Sequence, residues 1–310
     1  MRVLLTGCNG LLGQNLVAHR PPQVDLVGVD LADTFYGTGS IGRYERLDLR
    51  DRTATKALVA AFKPTWIVHT AGYNNVDGAE TEKEACWQGN VVATENLIRA
   101  AESSGAHVLH LSTDYVFDGA KGPYREEARP NPLGYYGKSK LAAENVVKGS
   151  AVPYLIVRTM VLYGYAERAR ENFATWLLKK LKAGEEVKVV TDQLGNTTLA
   201  SELAQALWTM VLQDASGVYH IAGKEIVSRY EFAMDLAQVF ALDGSLIRPV
   251  RTAELGQAAP RPLRSGLIVD KAREEFGVEL SATKEALQRF KEELRAAGSP
   301  LVDDRDIETA

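Results

Sequence analysis

Cysteine is nearly absent, with only Cys8 and Cys86 in 310 residues. They stand far apart and match no ligand spacing, which excludes a disulfide framework and a thiolate zinc site; both read as small buried side chains. A surplus of one charge is missing too. The 36 Lys and Arg against 40 Asp and Glu leave a net −4 with no long run of either sign. That argues against a nucleic-acid groove or a basic membrane patch. No stretch is long and apolar enough to cross a bilayer, and the apolar start MRVLLT breaks at Gly7, too short for a signal-peptide core. The expectation is a cytoplasmic protein with no membrane partner, no nucleic-acid partner and no bound metal.

What is present is an alternation. RVLLTG is followed by LLGQNLVAH and VDLVGVD, TATKALVAAF by WIVHTA, and ACWQGNVVATENLIRAAESS by HVLHLST. Short β-rich runs between helical patterns predict an α/β fold, a Rossmann-like doubly wound parallel sheet. Their continuous apolar character fits strands buried on both faces. After a further strand, LIVRTMVLYG, helices and prolines take over. We expect a dinucleotide-binding domain over 1–160, with 200–223 returning to it. A smaller, mainly helical substrate-binding domain is expected over 161–199 and 224–298, with 299–310 as a flexible tail.

TGCNGLLGQNL spaces Gly7, Gly10 and Gly13 at three-residue intervals between the first strand and first helix, with Asn9, Leu11 and Leu12 among them. A dinucleotide needs glycine there for a tight turn, close backbone approach and close helix packing. The next strand ends in Asp30, where a carboxylate can accept from ribose hydroxyls and repel a 2′-phosphate. This favours NADH while admitting NADPH. RLDLRD offers Asp48 and Leu49 to the adenine edge, and HTAGYNN offers Ala71, Gly72 and Tyr73 as backbone beside the cofactor.

PLGYYGKSKLAAE holds two tyrosines, but only Tyr136 has a lysine, Lys140, four residues on, which puts both on one helix face. A phenol with an ordinary pKa of about 10 is a poor acid–base group at neutral pH. A nearby ammonium and a cationic nicotinamide would lower it. Read alone, YYGKSK is better taken as an exposed helix start with Lys138 and Lys140 solvated. The strand end HVLHLSTDY, bearing Ser112, Thr113 and Asp114, decides for chemistry, because open α/β sheets bind ligands at the ends of their strands.

Glycine loop, strand-end hydroxyl and Tyr-x-x-x-Lys in that order resemble the extended short-chain dehydrogenase/reductase superfamily. Within it, NNVDGAE, LSTDYVFDG, YYGKSK, RTMVLYG, NFATWLLK, DQLGNTT and RPLRSGL resemble the dTDP-4-dehydrorhamnose reductase family. The resemblance implies a reductase of a 4-keto-deoxyhexose nucleotide, of the dTDP-L-rhamnose biosynthesis type, and admits a homodimer. It implies that Thr113 orients the carbonyl, Tyr136 protonates it and Lys140 holds the nicotinamide ribose. Asn90 would shape that end of the pocket, and Asn75, Val76, Asp114, Tyr115, Asn172, Gln193 and Arg261 would contact the substrate. Two positions depart from the family pattern, Thr197 for a usual proline and Arg264 for a frequent asparagine. Related dehydratases carry Asp-Glu after the strand-end threonine, whereas here Tyr115 follows Asp114. An epimerase remains open, as does a non-catalytic dinucleotide-binding subunit resembling the regulatory subunit of methionine adenosyltransferase.

Overall fold

Strand β1 (Arg2–Thr6) lies inside a seven-stranded sheet in the computed structural model, which describes residues 1–302. On one side it pairs with β2 (Asp25–Asp30), and β3 (Arg43–Arg46) lies beyond. On the other side stand β4 (Trp66–His69), β5 (His107–Thr113), β6 (Tyr154–Thr159) and the strand Gly217–His220. Every pairing is parallel, so the doubly wound α/β expectation is met. The strand order reverses between β1 and β4. Such a reversal opens a crevice at the carboxyl ends of the strands.

Helices α1 (Leu11–Ala18), α2 (Arg52–Phe62), α3 (Lys83–Trp87), α4 (Ala93–Ser104) and α5 (Tyr135–Lys148) follow these strands. Leu5, Leu12 and Leu16 pack with Leu203 and Leu207 of the helix Ala200–Leu212 on one face of the sheet. Leu4, Val27, Val59, Leu97 and Ile98 close the other face. Burial on both faces explains why the strands read as unbroken apolar runs. Helix α5 is pinned from beneath. Buried Glu144 accepts from Arg158 Nε and Nη2 on β6, at 2.8 Å each, and from the Ser112 hydroxyl on β5 at 2.6 Å.

A second core gathers Leu177 and Leu178 from Phe173–Lys182, Phe232 and Leu236 from Arg229–Val239, and Leu287 and Phe290 from Thr283–Ala296. Tyr163 meets Phe232 and Phe290 edge-on. The mainly helical expectation for this half omitted three short strand pairs. They are Leu162–Tyr163 with Thr198–Leu199, Val187–Val190 with Ile247–Val250, and Leu194–Asn196 with Ile226–Ser228. These runs are too short for a period of two to register. Ser228 and Glu231 form a capping box at the start of Arg229–Val239, a device worth about 1 kcal/mol that fixes where this helix begins. Leu301 and Val302 pack against this core, and the rest of the expected tail, 303–310, lies outside the described residues. Among the described residues no helix is long and apolar enough to cross a membrane, and no group of three or more His, Cys, Asp or Glu could hold a metal.

Candidate active site

The glycine loop runs from β1 into α1. Gly7 has φ +74°, and a Cβ there would stand 2.7 Å from the Ala71 amide at the end of β4. At Gly13 a Cβ would collide with the Gly7 carbonyl and the Cys8 backbone, so only glycine lets the helix pack this closely on the turn. Gly10 caps α1 without a side chain, which leaves first-turn N–H groups for an anion. The Asp30 carboxylate accepts from the Asn9 amide at 2.9 Å and the Leu31 amide at 2.8 Å, which orients it at the end of β2. Burial, with the Asp30 charge adding, pushes the Cys8 thiol up to about 12. That thiol is inert, in keeping with its reading as a small buried side chain.

Three adjoining chambers run along the carboxyl edge of the sheet. The first, of about 510 Å³, is lined by Gly7, Asn9, Gly10, Asp30, Asp48, Leu49, Ala71, Gly72 and Tyr73, with Arg168 and Arg170. Its Arg50 is engaged by Asp48 at 2.6 Å. The second, of about 380 Å³, shares Gly7, Gly10 and the loop Thr70, Ala71, Gly72, Tyr73 and Asn74. It adds Leu11, Leu12, Gly13, Val76, Asn90, Thr113, Tyr136 and Lys140. A dinucleotide fits this donor set, with the Asp30 carboxylate among arginines at one end, bare helix amides in the middle and a Tyr–Lys pair at the other.

Asn90 sits in a π-helical turn, Gln88–Val92, between α3 and α4. Its carbonyl accepts from the Tyr73 amide at 2.8 Å, and its amide donates to the Tyr73 carbonyl at 3.1 Å and the Ser139 hydroxyl at 2.9 Å. Ser139 in turn donates to the Tyr136 carbonyl at 2.7 Å. One side chain thus ties the loop after β4 to the helix bearing Tyr136. Lys140 donates from Nζ to the Leu111 carbonyl at 2.6 Å, and burial brings its ammonium down to about 8.

The Tyr136 phenol differs from expectation. Burial and then the Asp114 charge push it above its ordinary range, with the Thr113 hydroxyl pulling the other way. The phenol is held protonated, a weaker acid than an ordinary tyrosine until a cation beside it offsets the burial. Tyr135 instead lies beside the Lys83 ammonium, 5.7 Å from ring centre to nitrogen, and lines none of the three chambers.

The third chamber is small, about 20 Å³, and lies toward the C-terminal half. Asp114, Tyr115, Met160, Val161 and Arg229 separate it from the second, and Gln193, Thr197, Arg261 and Ser265 complete it. Asp114 accepts from Thr113 at 3.1 Å and Ser265 at 2.6 Å, and burial raises its carboxyl to about 6. The Tyr115 ring meets Tyr136 edge-on at 5.5 Å.

Two expected substrate contacts line none of these chambers. Asn172 caps the helix Phe173–Lys182, accepting from Thr175 and donating to Gly164, so both ends of its amide are engaged. Asn75 accepts from the Gly78 amide and caps a turn. Arg261 reaches the third chamber but is already paired with Asp77. Sequence reasoning missed Arg229, Ser265 and Val161, whose φ of +46° is costly for a β-branched side chain. SRYEFA at a helix start carries no signal that its arginine turns into a cleft.

The family model for the RmlD substrate binding domain matches residues 1–296. The dTDP-4-dehydrorhamnose reductase of Sinorhizobium fredii is 33% identical over 301 residues, covering 94% of this chain and 96% of that protein. Methionine adenosyltransferase 2 subunit beta of Xenopus tropicalis is 34% identical over 284 residues, covering 89% and 83%. A dTDP-4-dehydrorhamnose reductase structure from Clostridium acetobutylicum superposes with a TM-score of 0.86 at 32% identity, over 95% of this chain and 100% of that one. The Bacillus anthracis reductase in complex with NADP gives 0.83 at 30% identity, over 93% and 98%.

Proposed function

The chain belongs to the dTDP-4-dehydrorhamnose reductase family of extended short-chain dehydrogenase/reductases, and from that premise we propose that it reduces the ketone of a 4-keto-deoxyhexose nucleotide. The observation that carries this reading is the second chamber, which Thr113, Tyr136 and Lys140 line together with the glycine loop. A bound dihydronicotinamide would supply hydride to the carbonyl carbon. The bare amides of α1 would receive its pyrophosphate and Asp30 its adenosine ribose, which favours NADH over NADPH. Thr113 would orient the carbonyl oxygen. The Tyr136 phenol, kept protonated by burial, would give that oxygen its proton as the carbon–oxygen double bond is reduced. Lys140, anchored on Leu111, would hold the nicotinamide ribose and support the phenolate left after transfer. The test is a screen of 4-keto-deoxyhexose nucleotides for NADH oxidation by the purified chain.

Similarity to the methionine adenosyltransferase beta subunits supports a second reading, a non-catalytic dinucleotide-binding subunit of a synthetase. The Tyr136–Lys140 pair within one chamber favours the enzyme. Failure to turn over any such sugar nucleotide, with tight co-purification of a synthetase, would decide for the subunit.

A further inference from the structure

Between Tyr136 and the third chamber stands a cation that the family motifs do not assign. Arg229 lines both chambers. Its Nη1 is buried and makes no hydrogen bond, while the Phe173 ring lies 5.5 Å from the guanidinium carbon. The other arginine of the third chamber, Arg261, is spent. Its Nη2 donates to Asp77 at 2.6 Å and its Nη1 to the Ala259 carbonyl at 3.2 Å. The nearby Asp114 has both carboxylate oxygens occupied by Thr113 and Ser265. An unpaired guanidinium nitrogen withdrawn from water is costly. The partner that recovers this cost best is an oxyanion, which a guanidinium meets with charge-assisted hydrogen bonds.

We propose that Arg229 determines substrate specificity by receiving an oxyanion of the substrate, either the diphosphate of a sugar nucleotide or a carboxylate on its sugar. The assignment rests on the reductase reading for its choice of substrate class. It places charge recognition at Arg229 and leaves Arg261, an expected substrate contact, as the clasp of Asp77.

The test uses the full chain with and without saturating NADH. Calorimetric titration with dTDP, with glucuronate and with uncharged thymidine compares wild type with Arg229→Gln and Arg229→Lys. Wild type should bind one of the two anions. Arg229→Gln should weaken that binding roughly tenfold or more, with Arg229→Lys in between. NADH affinity, thymidine binding and the melting temperature should stay near wild type. Loss confined to dTDP places the diphosphate at Arg229, and loss confined to glucuronate places a sugar carboxylate there. On a confirmed substrate, KM should rise far more than kcat falls. Arg229→Gln binding both anions as wild type does, or wild type binding neither, overturns the assignment. If wild type reduces no keto-sugar nucleotide yet Arg229→Gln loses the anion, the reductase reading fails and the anion site stands.

Discussion

The Arg261 guanidinium donates to Asp77 across 2.6 Å, joining the loop after β4 to a segment 184 residues further along the chain. The Arg261 side chain is 8% exposed and Asp77 45%. Asp77 also accepts from the Ala259 amide at 3.0 Å, so the loop is stitched at two points. Arg261, held by this pair, lines the third chamber.

Arg261→Gln and Asp77→Asn should each lower the melting temperature and raise KM for the sugar nucleotide, leaving NADH affinity nearly unchanged. Solvent screens the half-exposed Asp77, so a double-mutant cycle should give a coupling of roughly 1 kcal/mol. Additive effects in the cycle would show that the contact carries no energy of its own.

Asp30 is oriented by two backbone amides and lines the first chamber. Fluorescence titration should show NADH binding tighter than NADPH, and Asp30→Ala should narrow the gap by weakening NADH and relieving repulsion of the 2′-phosphate. Arg168 and Arg170 border the same chamber. Equal affinities in the wild type would mean that these arginines offset the carboxylate.

Lys140 sits near 8 because burial penalises its ammonium. A depressed lysine withdraws stability as pH falls, because the ordinary pKa of about 10.4 lets the unfolded chain take up the proton first. Stability linked to the neutral form is present above about 10.4 and is lost as pH falls through about 8. Lys140→Met should therefore gain melting temperature relative to wild type at pH 7 over its value at pH 10.5, while losing cofactor affinity. Wild-type NADH affinity should decline as pH rises past about 8. A flat profile would remove the ammonium from the cofactor site.

Much of this site was legible in the sequence because its geometry is local. Gly7 and Gly13 report a turn whose backbone tolerates nothing larger, Gly10 a tight helix start, Thr113 ends a strand, and Tyr136 and Lys140 share a helix face. The remainder depends on contacts between distant segments. Asn172 has the chemistry of a ligand, but the same amide is a favoured helix cap, and only the fold shows which role it takes. Arg229 reads as an ordinary helix start until folding brings it into the chamber that Tyr136 also lines. Arg261 looked free until the fold brought Asp77 to it. The direction of the Tyr136 shift was likewise hidden. Helical spacing placed a lysine nearby, whereas burial and Asp114 act through the assembled chamber.

Proton donation by Tyr136 is put to the test by turnover of Tyr136→Phe on a confirmed keto-sugar nucleotide, with NADH titration and a thermal melt alongside. The kcat of this variant should fall on the order of a hundred- to ten-thousandfold with NADH binding and melting temperature retained, since only the transferable proton is removed. Tyr135→Phe, altered outside the three chambers, should keep most of its activity. Near-normal kcat in Tyr136→Phe would contradict the mechanism and reduce YYGKSK to the start of a helix.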